Sequence, residues 1–245
     1  MLRFIIALLF VVLFLILSLP IQGLFWLLGK NPKWKHGIDV ASLRIVQWAF
    51  RVVKTIGGIR LTETGREHIP TDEAVLFIGN HNGFFDIILT YAYVPGLTSF
   101  ISKKEWEKFP LLPIWMKRLY CLFLDRNDTR QGLQVILSAI ELVKNGISVF
   151  IFPEGTRSKD GHLHEFKKGS FKIAQKTDCP IIPVTITGTA EVFENHLPRL
   201  TPGEVTIDYG EPIRMSELSD EDRKHIDTYV HGIIERRLIE KTGKA

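Results

Sequence analysis

Apolar and polar positions divide this chain into two unlike parts. In the first, no charge occurs between Arg3 and Lys30, Phe4 to Leu17 is continuously apolar, and Leu24 to Leu28 extends the run after Pro20, Gln22 and Gly23. A helix over the whole segment, rising about 1.5 Å per residue, reaches roughly 39 Å and suffices to cross a bilayer. Pro20 and Gly23 could instead kink the segment and leave it in one leaflet, so both dispositions stay open. A cleaved signal peptide fits poorly, because no small-x-small site follows the apolar stretch. Lys30, Lys33 and Lys35 outnumber Arg3, which predicts that the bulk of the chain lies on the cytoplasmic side of a membrane. From Val40 to Ile56 the long polar residues Arg44, Gln47, Arg51 and Lys54 recur at helical spacing within a narrow arc, and the remaining circumference is largely apolar. This pattern suits a helix lying at the membrane interface with its cations at headgroup level. It equally suits a core helix with one wet face.

From about Gly58 the pattern changes to short apolar runs alternating with helical periodicities. Strands are predicted at Ile59 to Thr62, Ala74 to Ile78, Thr98 to Ser102, Cys121 to Leu124, Ile147 to Phe152, Ile181 to Thr187 and Val205 to Tyr209. Most are uninterrupted apolar runs, as expected of strands covered on both faces. A helix is predicted between two of them, opened by Asp128 and Gln131, striped by Leu133, Ile136, Leu137, Ile140 and Val143, and closed by Gly146. A final helix is predicted to start near Ser219 and to carry Ile226, Val230, Ile233 and Leu238. The alternation predicts an α/β domain with a largely parallel β-sheet flanked by helices, preceded by an N-terminal membrane-associated helix pair. The division is residues 1–56 as membrane anchor and interfacial helix and 57–245 as the domain that carries the chemistry.

Composition narrows the function. The 245 residues carry a net charge of +4. That suits an anionic membrane surface or a phosphorylated substrate and is too small to argue for nucleic acid. Cys121 and Cys179 form no metal-type cluster and no disulfide framework.

Four blocks carry candidate chemistry. Asn80-His81-Asn82-Gly83-Phe84-Phe85-Asp86 follows a predicted strand directly, at the carboxyl end where sites gather in open α/β sheets. Positions five apart do not share a helical face. His81 must therefore precede the helix that Phe84 begins if Asp86 is to reach its ring. Such a pair leaves one ring nitrogen for a substrate proton while a carboxylate orients the other. Phe152-Pro153-Glu154-Gly155-Thr156-Arg157-Ser158 follows another strand. Its glycine permits close backbone approach, Arg157 offers a planar fork suited to phosphate, and Glu154 could orient that arginine or bind hydroxyls. Phe123-Leu124-Asp125-Arg126 ends a third strand and could bring Arg126 to the same rim. Ile181 to Gly188 carries no reactive side chain and would shape a wall. Taken singly, each polar block also reads as a helix start, a polar turn or a surface ion pair.

In this order the four blocks resemble the glycerolipid acyltransferase family, most nearly the bacterial-type 1-acyl-glycerol-3-phosphate acyltransferases. They look like its His-x4-Asp, Asp-Arg, Phe-Pro-Glu-Gly-Thr-Arg and proline-containing apolar motifs. Ser102-Lys103-Lys104-Glu105 through Pro110-Leu111-Leu112 also looks like the segment between its first two motifs. The resemblance covers roughly Gly57 to Ile213. It implies acyl transfer from acyl-CoA or acyl carrier protein to lysophosphatidic acid among membrane phospholipids, with no metal and no further cofactor. It maps the catalytic base and its partner to His81 and Asp86, and acceptor contacts to Arg126, Glu154, Gly155, Thr156 and Arg157, with Lys104 beside them.

The residue types then suggest the mechanism. His81 takes the proton of the free hydroxyl, the oxygen attacks the thioester carbonyl, and the thiol leaves. A thiol of pKa about 8.5 leaves readily, so no strong acid and no covalent enzyme intermediate are needed. The backbone N–H groups of Asn82 and Gly83 are candidates to hold the oxyanion. Acylation of another lysolipid (a lysophospholipid or lyso-amino-acid lipid) remains open, as does a non-catalytic lipid-binding scaffold. A lipid hydrolase is disfavoured, since no Gly-x-Ser-x-Gly elbow occurs.

Overall fold

All seven predicted strands form in the computed structural model, which describes residues 1–158 and 161–243. They are β1 (Ile59–Thr64), β2 (Leu76–Gly79), β3 (Thr98–Lys103), β4 (Leu122–Leu124), β5 (Ser148–Ile151), β6 (Ile181–Thr187) and β7 (Gly203–Tyr209). One sheet joins them in the order β1-β7-β6-β2-β5-β3-β4, and every neighbouring pair is parallel except β6 with β7. β2, flanked by β6 and β5, is central. The helices are α1 (Leu2–Leu17), α2 (Leu19–Leu28), α3 (Pro32–Gly57), α4 (Phe84–Tyr93), α5 (Leu112–Arg118), α6 (Thr129–Lys144), α7 (Lys172–Thr177), α8 (Thr189–Val192), α9 (Asp220–Lys224) and α10 (Ile226–Thr242).

Alternation along the strands builds two cores. Leu76, Ile78, Val149, Ile151 and Ile181 face one side and pack with residues of α6, α7 and α10, such as Ala139, Ile173 and Val230. Phe77, Phe100, Phe150, Ile182 and Ile207 face the other and pack with α3 and α4. On this second side Phe150 lies opposite Phe77 of β2 and Phe100 of β3 in register. The three rings stack, with centroids 5.5 Å apart for Phe77–Phe150 and 4.7 Å for Phe100–Phe150. Phe152 continues the column at 5.0 Å from Phe150.

The ends of the elements follow local chemistry, with some departures from the sequence pattern. Asp128 caps α6 by accepting from the Gln131 amide at 2.9 Å, as the capping signal predicts. The predicted last helix is instead two: Ser219 caps α9, and a non-helical His225 separates it from α10. The long polar residues of α3 do not form one wet stripe. Gln47 is buried and donates to the Val94 carbonyl at 2.8 Å, tying α3 to the end of α4, while Arg44, Trp48, Arg51 and Thr55 form the exposed face.

No single helix among the described residues is long and apolar enough to cross a membrane, but α1 and α2 pass together as a pair bent by 41°. The break falls at Ser18, ahead of the expected kink, because Pro20 occupies the first turn of α2 and has no N–H to continue the α1 ladder. The bend is fastened to α5: Trp115 donates to the Ser18 hydroxyl at 2.9 Å and Arg118 to Gln22 at 2.6 Å. Ala7, Leu43 and Val53 join the same core as Phe77 and Phe150, so the sheet and the N-terminal helices share apolar packing across residue 56. The outer faces of α1 and α2 leave Leu9, Leu13, Leu24, Trp26 and Leu27 exposed.

Phe150 is fully buried at the centre of the aromatic column. Phe150→Ala is therefore expected to lower stability by about 3–5 kcal/mol, read by chemical denaturation in micelles. A loss below about 1 kcal/mol would show that the column does not hold the sheet.

Candidate active site

The polar motif blocks gather at one rim because β2, β4 and β5 run parallel and each leads into one of them, while the fourth block forms β6, parallel to β2. After β2 the chain passes through His81 and Asn82 without regular secondary structure and begins α4 at Phe84, with an extended Gly83 as N-cap. Asp86, in the first turn of α4, turns back over this approach. Its Oδ2 lies 2.8 Å from His81 Nδ1 and accepts from the amides of Asn82 and Gly83, both at 2.7 Å. Its Oδ1 accepts from the Thr189 hydroxyl of α8. The carboxylate is fully buried, and these donors together with the α4 N-terminus offset the cost of burying it.

His81 is held on every side but one. Its ring stacks on Phe152 with centroids 4.3 Å apart, at the end of the aromatic column. Its amide donates to Glu154 Oε1 at 2.7 Å and its carbonyl accepts from the Ser158 amide at 2.8 Å. Neighbouring Asn80 is fully buried and bonds both backbone groups of Ile186 on β6, at 2.9 and 2.7 Å. Nδ1 is engaged by Asp86, while Nε2 makes no hydrogen bond among the described residues. This is the geometry required of a base whose second nitrogen is oriented by a carboxylate.

Two expected roles are corrected. The amides of Asn82 and Gly83 are spent on Asp86 and are not free to hold an oxyanion. Glu154 does not orient Arg157. It is buried, its other oxygen accepts from the His164 amide at 3.1 Å, and it thereby ties the β5 loop to the His81 backbone. Burial raises its pKa, and those two amides pull the other way.

Arg157 instead donates to Glu194 Oε1 at 3.0 Å and is half exposed. Thr156 beside it is exposed. Gly155 adopts φ +74°, and a Cβ there would meet the Lys167 ammonium at 2.6 Å, so glycine permits both the turn and the approach of that lysine. Arg126 follows β4. Although the residue is exposed, its guanidinium is partly desolvated, which lowers its pKa; Glu105 opposes the shift and the charge of Arg157 adds to it. The two guanidiniums thus lie within electrostatic reach. Lys104 pairs with Asp125 at 3.5 Å near the same rim.

Thr189, Glu194, Phe152 as a stacking partner and Lys167 were not singled out in the sequence. Thr189 directly follows the fourth block and was findable as the first hydroxyl beyond the β6 end. Glu194 and Lys167 sit in loops whose sequence carries no signal of where they fold.

A family model described as Acyltransferase matches residues 60–187. A chloroplastic 1-acyl-sn-glycerol-3-phosphate acyltransferase of Brassica napus is 38% identical over 167 residues, covering 66% of this chain and 48% of that protein. One from Borreliella burgdorferi is 29% identical over 199 residues, covering 81% and 76%. The chain spans about half the length of the plant relatives it matches. The crystal structure of the 1-acyl-sn-glycerophosphate acyltransferase PlsC from Thermotoga maritima superposes with a TM-score of 0.74 at 27% identity, over 99% of this chain and 100% of that one.

Among the described residues, the Thr189 hydroxyl is the one side chain outside the His81 to Asp86 stretch that bonds the buried carboxylate. Thr189→Val is expected to lower stability by about 1–3 kcal/mol, the cost of removing a partner from a buried acceptor. A melt within a degree of wild type would mean that this bond carries no weight.

Proposed function

This chain belongs to the acyltransferase family, and we propose that it transfers a fatty acyl group from acyl-CoA or acyl carrier protein to the free hydroxyl of 1-acyl-glycerol-3-phosphate, forming phosphatidic acid. The observation that carries the reading is the His81–Asp86 pair, with Nε2 unengaged at the rim where Arg126 and Arg157 also lie. His81 Nε2 takes the proton of the acceptor hydroxyl as its oxygen attacks the thioester carbonyl. The tetrahedral intermediate collapses, the C–S bond breaks, and the imidazolium returns the proton to the departing thiolate. Asp86 holds the ring with Nδ1 protonated and stabilises the imidazolium that forms. The acceptor phosphate pairs with Arg157 and Arg126, whose planar forks suit its oxygens. Gly155 lets backbone and lysine approach that phosphate closely, with Lys167 adding charge. The 1-acyl-sn-glycerol-3-phosphate acyltransferase names of the relatives favour this acceptor over other lysolipids.

The lipid substrates call for a membrane surface. We place the exposed apolar faces of α1 and α2 in the bilayer, with the catalytic domain at its cytoplasmic surface. The exposed Arg44, Trp48 and Arg51 of α3 suit headgroup level.

Two measurements test this. His81→Ala is expected to lower turnover by at least about 10²-fold with little change in acceptor KM; near-normal turnover with the same melt would sink the dyad. Leu9→Lys with Leu13→Lys, on exposed positions of α1, is expected to reduce co-sedimentation with phospholipid vesicles several-fold, since a lysine strongly disfavours insertion. Unchanged sedimentation would move the membrane contact elsewhere.

A further inference from the structure

Glu194 belongs to none of the motif blocks, yet it touches two of them. Oε1 accepts from the Phe84 amide in the first turn of α4 at 2.5 Å and from Arg157 Nη1 at 3.0 Å. Oε2 is buried without a hydrogen-bond partner among the described residues, and a Cβ on Gly83 would stand 2.6 Å from it. Its pKa is raised, first by burial and also by the charge of Asp86; the Phe84 amide and the charge of Arg157 oppose the rise. The segment is not free to move. Phe193 stacks on Phe4 of α1 at 5.6 Å and packs edge-on to Phe85 of α4 at 6.0 Å. A carboxylate oxygen left unpaired against a glycine is costly, and a merely solvated loop would leave such a residue exposed.

We propose that Glu194 is a positioning residue for the acceptor. It holds the Arg157 guanidinium at the N-terminus of the helix that carries Asp86. One N–H of the arginine goes to Glu194, and no other is engaged among the described residues. The remaining donors stay free for phosphate, with the side chain already ordered. The inference rests on the reading of Arg157 as the phosphate ligand.

The test is a double-mutant cycle of Glu194→Ala and Arg157→Ala in the full chain, with lysophosphatidic acid and an acyl-CoA as substrates. Arg157→Ala is expected to raise the acceptor KM and leave the donor KM unchanged. Glu194→Ala alone is expected to raise the acceptor KM about tenfold, again sparing the donor. In the Arg157→Ala background it is expected to add less than about twofold. Full multiplication of the two effects, an equal rise in both KM values, or a fall in acceptor KM, as from a glutamate that competes with the phosphate, would overturn the inference while leaving the phosphate reading intact. An Arg157→Ala protein with unchanged acceptor KM would overturn both. If Glu194→Ala does not fold, Glu194→Gln keeps an acceptor for the Phe84 amide and removes the charge that holds Arg157. The same cycle run with it is judged by the same non-additivity.

Discussion

The buried carboxylate of Asp86 is the constraint on which the site depends. A carboxylate with no solvent contact persists only where donors surround it. Here they come from His81, Asn82, Gly83 and Thr189. Satisfying it fixes the approach to α4, sets the tautomer of His81, and draws α8 from beyond β6 against α4. The ring is then located from a second direction by Phe152, the last member of the aromatic column running across β3, β5 and β2. The hydrophobic packing of the sheet and the orientation of the proposed base are therefore one structure.

The same economy extends to the N-terminal helices. α3 crosses the α4 face of the sheet and is bonded to it through Gln47, while α1 packs beside α3 and reaches the Glu194 segment through Phe4 and Phe193. At the same end of α1, Arg3 donates to the Ile56 carbonyl at 3.1 Å, fastening it to the end of α3. A helix pair that presents Leu and Trp outward is thus attached rigidly to the rim where the motif blocks meet. With that pair in the bilayer as proposed, a lipid acceptor would meet the site at a fixed height.

Much of this was legible in the sequence because its causes are local. Most strands stood out as short apolar runs, since strands covered on both faces need apolar residues at successive positions, while edge strand β1 alternates apolar Ile59 and Leu61 with polar Arg60 and Thr62. The His81–Asp86 contact could be reasoned from the five-residue spacing and the Asn-Gly break. What was missed lies in contacts that cross the fold. Thr189 meets Asp86 and Glu194 meets Arg157 only because parallel strands bring distant loops to one rim. Glu154 looked like the partner of Arg157 because it is three positions away, yet backbone amides claim it. Gln47 fits a basic stripe by spacing, but buried carbonyls at the end of α4 required a donor there. The amides of Asn82 and Gly83 looked available only while the direction of the Asp86 side chain was unknown.

The central claim is that Asp86 makes His81 a base. Asp86→Asn tests it most directly, because it keeps the volume of the side chain and removes the charge that fixes Nδ1–H and stabilises the imidazolium. The turnover of folded Asp86→Asn protein, measured with lysophosphatidic acid and acyl-CoA at saturation, is predicted to fall by at least about 10²-fold with the acceptor KM nearly unchanged. Turnover within a few-fold of wild type in a protein of intact fold would contradict the account.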